Sequence, residues 1–303
     1  MSPIKRPSEE VLAQLFPRCR IEEHIADGGF KAVYRAKVGN AYEALKIVQL
    51  PKQAEDELSQ TFYAECLGRI KRELAALAKC TVPQLVRLGS IVATPFEDAG
   101  ESYIGYSEEF LEGSDLGKLL NDTARTSPSE VELQLLMRSL VLAIQELWSY
   151  GYIHRDIKPL NIIKTKNPER PFVLLDLGIA FSVRETALTY NPIGRMPPAT
   201  YRYMAPEMGN PSFRETIDYR SDLYSAALSV YEYGAGKHPL SSDADDLFQT
   251  VSRAIREPAK PLKTYRPDLS EGFCQMIDQL LKKKPALRPA NINRLLASLE
   301  GSI

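Results

Sequence analysis

Short apolar runs bounded by turn residues dominate the first third of the chain, and a helical spacing of apolar positions dominates the rest. Between Ile21 and Phe110 five strands are expected: Ile21 to Ala26, Ala32 to Val38, Tyr42 to Val48, Leu85 to Ala93 and Tyr103 to Phe110. One helix interrupts them, from about Glu55 to Lys79, with Leu67, Ile70, Leu74 and Leu77 on one face and charges on the other. Past Gly113 the pattern is helical. Its clearest element runs from Pro128 to Tyr150, with Ser127 as cap, Pro128 at the first helical position and Glu130 completing a capping box. Residues 1 to 20 read as a polar leader with an amphipathic patch at Leu12, Leu15 and Phe16, expected to be a helix leaning on the next part of the chain. The pattern predicts an α+β protein, a small strand-rich part before a larger helical one. The boundary falls near Glu112 to Ser114, and no repeat, low-complexity tract or long linker suggests a further domain.

Composition changes this picture little. The 303 residues are 44% hydrophobic and 25% charged, as in ordinary globular proteins. Lys plus Arg number 38 against 39 Asp plus Glu, which gives no electrostatic case for nucleic acid or an anionic membrane as partner. The start, MSPIKRPSEE, has no apolar signal core, and later apolar stretches are too short or too charged to span a bilayer, so a cytoplasmic protein is expected. Four scattered cysteines and three histidines argue against a disulfide framework or a zinc site.

The candidate chemistry concentrates in His154, Arg155, Asp156, Ile157, Lys158, Pro159, Leu160, Asn161. Asp156 can accept a proton, Lys158 can neutralise a phosphate oxygen, and the Asn161 carbonyl can meet a hard cation such as Mg2+. Pro159 breaks any helix here, so the side chains are expected to converge from a loop between two short strands. A solvated charged turn would explain each residue singly but not the flanking Tyr152, Ile153, Ile162 and Ile163. A strand ending at Leu175 then delivers Asp176 and Gly178 into a turn, an arrangement that suits a metal bridging phosphates but that is also common in plain turns. Upstream, the hairpin around Gly28 and Gly29 reads either as a phosphate-covering loop or as a simple β-turn. Lys46, in the apolar run Ala44 to Val48, needs an anionic partner if buried, and Glu73 on the long helix is one such carboxylate.

Taken in order, these motifs resemble those of the protein kinases over nearly the whole chain. Residues 154 to 161 resemble the catalytic loop, Asp176 to Gly178 the metal-binding element with Leu for Phe, and Ala44 to Lys46 the nucleotide-anchoring strand. Ala205, Pro206 and Glu207 resemble the close of the activation segment, Ser221 and Asp222 the start of a bracing helix, and Arg288 the late arginine that pairs with Glu207. The resemblance implies a bilobal kinase fold forming one domain after the leader, with an N-lobe over 21–111 holding one regulatory helix and a helical C-lobe over 112–303.

It implies transfer of the ATP γ-phosphoryl group to protein Ser or Thr hydroxyls, with Asp156 as base and Mg2+, or Mn2+, at Asn161 and Asp176. Lys46, held by Glu73, would grip phosphates, and Lys158 would steady the transferred group. Ala26, Gly28, Val33 and Ala44 would surround the nucleotide, the backbone of Glu109 to Leu111 would hold adenine, and Asp115 would lie near the ribose. Lys158 and Thr200 fit the Ser/Thr class better than the tyrosine class. Counting back from Pro83, Leu85, Val86 and Leu88 selects Glu73 over Glu65 as the partner of Lys46.

Several positions depart from the family. The first and third loop glycines align with Ala26 and Lys31, and Glu108 stands where an apolar side chain is usual, so it needs a partner or a raised pKa. Arg155 implies control by a phosphate or an acid, yet Arg195 to Pro198 offer no hydroxyl at the usual position; Thr186, Thr189 and Tyr190 lie farther upstream, with Thr189 the candidate phosphosite and Glu185 the alternative as a built-in acid. Leu160 replaces an acid that reads arginines in basic-directed kinases, and the spacer Gln49 to Gln60 is long, read as a surface insertion or a docking loop. An ATP-binding scaffold acting through a protein partner is the alternative reading. Retention of Lys46, Glu73, Asp156, Asn161 and Asp176 favours the enzyme, whose expected partners are a protein substrate and a regulatory protein.

Overall fold

A computed structural model describes residues 4–28, 30–52, 57–177, 181–182, 201–210, 217–242 and 244–300. The chain divides into two compact units, Met1–Lys79 with Val86–Leu111, and Cys80–Leu85 with Glu112–Ile303.

The first unit contains α1 (Glu9–Leu15), β1 (Cys19–Asp27), β2 (Lys31–Val38), β3 (Ala41–Gln49), α2 (Glu57–Leu77), β4 (Thr94–Asp98) and β5 (Glu101–Glu109). The strands form one antiparallel sheet in the order β1-β2-β3-β5-β4. Strand alternation sorts its two faces. On one, Tyr34, Leu45, Ile47 and Tyr103 pack with Ile4, Leu12 and Phe16, so the leader belongs to this core. Phe16 lies directly over Gly105, where a Cβ would come within 2.6 Å of its ring. On the other face Ile104 and Tyr106 pack with Ile70 of α2.

The strand expected over 85–93 does not form; within this unit the segment makes one isolated bridge, Leu88 to Glu108, and regular pairing begins only at Thr94. Backbone bonds from Gly89 N to Ser107 O, Ser107 N to Ile91 O and Glu109 N to Arg87 O remain, and side chains supply the others. The Glu43 carboxylate accepts from Ser90 N at 3.0 Å, and Ser107 Oγ accepts from Ile91 N at 2.9 Å. Apolar content alone does not distinguish such a segment from a strand.

The second unit contains β6 (Gly113–Asp115), α3 (Leu116–Asn121), α4 (Glu130–Ser149), β7 (Tyr152–Ile153), β8 (Ile162–Thr165), β9 (Phe172–Leu174), β10 (Phe181–Ser182), α5 (Tyr219–Ala235), α6 (Leu247–Arg256), α7 (Glu271–Leu280) and α8 (Ile292–Glu300). A small antiparallel sheet runs β6-β8-β9. Helix α4 packs on α5 and α8, and α5 is buried from Ser221 to Gly234. The cap of α4 lies two residues later than the sequence pattern predicts: Ser129, not Ser127, accepts from Glu132 N. Glu130 is then the first helical residue and not the third after the cap, so it closes no capping box, and its carboxylate accepts from Ser270 N and Oγ at 2.5 Å. The strand-rich unit and the helical unit together give the expected α+β class.

Candidate active site

The second unit presents the run His154 to Asn161 on a loop between β7 and β8 that ends in a 3-10 turn at Pro159–Asn161. Its backbone is held from α5. Both Asp222 carboxylate oxygens accept backbone N–H groups, from His154 and from Arg155, each at 2.8 Å. Burial pushes the Asp222 carboxyl pKa up, against these two bonds, which favour the anion. They hold Arg155 at φ 67°, a left-handed conformation costing a non-glycine residue about 1–3 kcal/mol. His154 is fully buried and braces the loop; its Nδ1 accepts from Asp156 N at 3.2 Å, which assigns the proton to Nε2, 3.0 Å from Leu175 O.

Asp156 then gathers its neighbours. Lys158 Nζ lies 2.8 Å from each of its carboxylate oxygens. Asn161 Nδ2 donates to Asp156 O at 2.8 Å and to Oδ2 at 2.9 Å, so the amide oxygen is the atom of Asn161 that can meet a cation. Leu175 N donates to Asn161 O at 2.7 Å, tying the strand that delivers Asp176 to the same loop. Asp176 is itself left-handed, at φ 54°. The Asn161 amide oxygen and the Asp176 carboxylate are hard oxygen donors of the kind that suit Mg2+, and the Asp156 carboxylate with the Lys158 ammonium lies beside Asn161.

In the first unit, sheet register aligns Ala26, Val33, Lys46 and Tyr106 across four strands, so they share a face. Ala44 pairs with Glu108, which therefore lies on that same face two residues from Tyr106. Lys46 Nζ is 2.5 Å from Glu108 Oε1, and both side chains are buried. Glu108 thus has the partner that its burial demands. Tyr106 donates to Glu73 Oε1 at 3.4 Å, and carboxylate oxygens of Glu73 and Glu108 lie within 4.8 Å of each other. Lys46, Glu73, Tyr106 and Glu108 form one buried polar group. Gly28 N donates to Lys31 O at 2.6 Å, and a Cβ on Gly28 would meet only ordinary contacts, so the turn does not require glycine there.

The remaining candidates are dispersed. Glu109 Oε1 accepts from Arg87 N at 3.0 Å, and Leu111 ends the first unit. Asp115 caps α3, accepting from Lys118 N at 2.8 Å. Arg288 forks onto Glu207 at 2.7 and 2.8 Å and donates to the carbonyls of Arg220, Lys282 and Lys283. Gly178, Thr189 and Thr200 lie outside the described residues. The sequence reading missed Tyr106 and also Glu43, an acid in the buried file of Leu45 and Ile47; that parity was its signal.

The chain belongs to the protein kinase family: the family model described as protein kinase domain matches residues 19–298. The chain is 30% identical, over 93% of its length and 49% of the relative's, to the serine/threonine-protein kinase pkn3 of Myxococcus xanthus. A probable serine/threonine-protein kinase of Clostridium acetobutylicum is 28% identical over 93% of the chain and 39% of its own length. PknA of Mycobacterium tuberculosis is 29% identical, over 93% and 60%. The chain therefore spans about half the length of these curated relatives. Among the described residues no helix is long and apolar enough to cross a membrane.

Proposed function

We propose that the chain transfers the γ-phosphoryl group of ATP to serine or threonine hydroxyls of a protein substrate. One observation carries the reading: Asp156, Lys158 and Asn161 are locked to one another on a single loop braced by Asp222. The acceptor oxygen forms the new bond to phosphorus, the bond to the β,γ-bridging oxygen breaks, ADP leaves with that electron pair, and the hydroxyl proton passes to Asp156. Lys158 neutralises charge on the transferred group, and Asn161 with Asp176 would hold Mg2+, or Mn2+. That ion supplies charge neutralisation between phosphates when bound. Lys46 and Glu73 serve the nucleotide phosphates; Ala26, Gly28, Val33, Ala44, the Glu109 to Leu111 backbone and Asp115 serve its base and ribose. Arg155, Thr189, Thr200, Glu207 and Arg288 order the activation segment, in a cytoplasmic enzyme that answers to a regulatory protein.

Radiolabelled ATP with generic protein substrates tests this, wild type beside Asp156→Asn. Labelling is expected from wild type alone, reduced about 10²–10⁴-fold in the variant. Equal silence of both, with nucleotide still bound, would favour an ATP-binding scaffold. The Lys46–Glu108 pair is the observation that supports that second reading, since it engages the lysine meant for phosphate.

A further inference from the structure

Beside the loop that bears Asp156, the second unit carries a groove of about 580 Å3 whose lining includes Gly117, Lys158, Leu160, Arg202, Glu232 and Lys237. Its volume is that of a binding cleft. Leu160 is 54% exposed, a large apolar side chain left open next to the catalytic turn. It is seated against α3 because residue 117 is glycine: a Cβ there would lie 2.5 Å from Leu160 Cδ2.

The charges in this groove are unevenly matched. Lys158 is held by Asp156. Glu232 faces Arg202 at 3.6 Å and also accepts from the Tyr203 hydroxyl, so the groove's acid is already engaged. His238, at the same wall, is neutral, because burial and then the Arg202 cation push its pKa down to about 3. Lys237 is exposed and lies 3.4 Å from the centroid of the Tyr265 ring, with no acidic partner among the described residues. The groove therefore offers an apolar seat and one cation that rests on an aromatic ring and has no acidic partner among the described residues.

We infer that this groove receives the acceptor segment and selects a peptide that sets a large apolar side chain on Leu160 and a carboxylate side chain against Lys237, disfavouring arginine. The inference rests on the phosphotransfer reading and names the substrate class for it. An arginine in the groove meets the Lys237 charge and finds Glu232 occupied. Repulsion of like charges, more than attraction, then sets the selectivity.

Serine peptides flanked by Leu and Glu, by Leu and Arg, or by Gly and Glu distinguish the outcomes, assayed with wild type, Lys237→Glu, Leu160→Glu and Asp156→Asn. Wild type is expected to favour the Leu/Glu peptide over the Leu/Arg peptide about tenfold in kcat/KM. Lys237→Glu removes or inverts that ratio, and Leu160→Glu removes the preference for Leu over Gly. A wild-type preference for arginine, or a ratio untouched by Lys237→Glu, overturns the inference while leaving phosphotransfer standing. If wild type labels no peptide better than Asp156→Asn, it is the phosphotransfer reading that fails. Fluorescence anisotropy of the labelled peptides then reads the groove directly: tighter binding of Leu/Glu, reversed in Lys237→Glu, upholds its selectivity, and equal affinities overturn it.

Discussion

Lys46 Nζ and Glu108 Oε1 lie 2.5 Å apart with side-chain exposures of 4% and 1%, and the Glu73 carboxylate stands within 4.8 Å of the Glu108 carboxylate. Two buried acids thus share the neighbourhood of one buried cation. Removing the cation leaves both acids in low dielectric, whereas removing Glu108 leaves Lys46 a neighbouring carboxylate to use. Lys46→Met is expected to cost about 3–5 kcal/mol and Glu108→Gln only about 1 kcal/mol, measured by urea unfolding. Glu108→Gln also frees Lys46 for phosphate, and ATP is expected to bind it about fivefold more tightly, near 1 kcal/mol. Equal unfolding costs would show that Glu73 does not take over.

How far the sequence could be read depends on where each partner lies. The need of Lys46 for an anion was legible, since a cation in Ala44 to Val48 is costly to bury. The role of Glu108 was not, because it depends on the β3–β5 register, which sets Lys46 opposite Tyr106 and Glu108 on the same face. The loop 154–161 was legible because Asp156, Lys158 and Asn161 meet within five residues of one another. Its brace was legible through the resemblance, which marks Ser221 and Asp222 as the start of the helix bracing this loop, but the two backbone bonds that Asp222 accepts were not. The segment 85–93 misled because nothing local shows that the Glu43 and Ser107 side chains take the Ser90 and Ile91 N–H groups, interrupting regular pairing.

The cap of α4 gives a test with a built-in control. Both Ser127 and Ser129 precede the helix, and only Ser129 accepts from a backbone N–H of its first turn. Ser129→Ala is expected to lower stability by about 1 kcal/mol. Ser127→Ala should leave the denaturation midpoint where it is; a larger loss there would put the helix start two residues earlier.

Arg288 is 2% exposed and spends its guanidinium on two Glu207 oxygens and three carbonyls. A lysine has one ammonium and cannot fork. Arg288→Lys is therefore expected to behave almost as badly as Arg288→Met, each losing about 3–5 kcal/mol because Glu207 is left half-paired. Thermal unfolding of both decides it, and full rescue by lysine would mean that charge alone matters.

Asp222 holds the loop that bears Asp156 through two backbone N–H bonds, from His154 and Arg155. Asp222→Ala strips the acceptors from His154 N and Arg155 N, each a buried donor worth about 1–3 kcal/mol when orphaned, and releases the left-handed turn at Arg155. Asp222→Asn keeps one acceptor oxygen and is expected to retain more of both stability and turnover. The check is a parallel measurement of urea midpoint, ATP affinity and kcat. Nucleotide affinity should hold while kcat falls, and a drop in affinity of the same size would place the damage elsewhere.

His238 contributes to the loss of stability in acid. Its ordinary value is 6.5, and burial followed by the neighbouring Arg202 cation lowers it to about 3 in the fold, with Lys283 adding a smaller push in the same direction. Its Nδ1 is spent accepting the backbone N–H groups of Leu240 and Ser241, so protonation also competes with those bonds. Between pH 6.5 and 3 the unfolded chain binds a proton that the folded chain refuses. Stability contributed by the neutral ring is therefore complete above pH 6.5 and is lost as pH falls through this window, at up to about 1.4 kcal/mol per pH unit. His238→Asn keeps an acceptor for the two backbone groups and removes the titration. Urea unfolding from pH 7 to 4 should then show a shallower loss in the variant than in wild type, and parallel slopes would mean that other groups govern the acid limb.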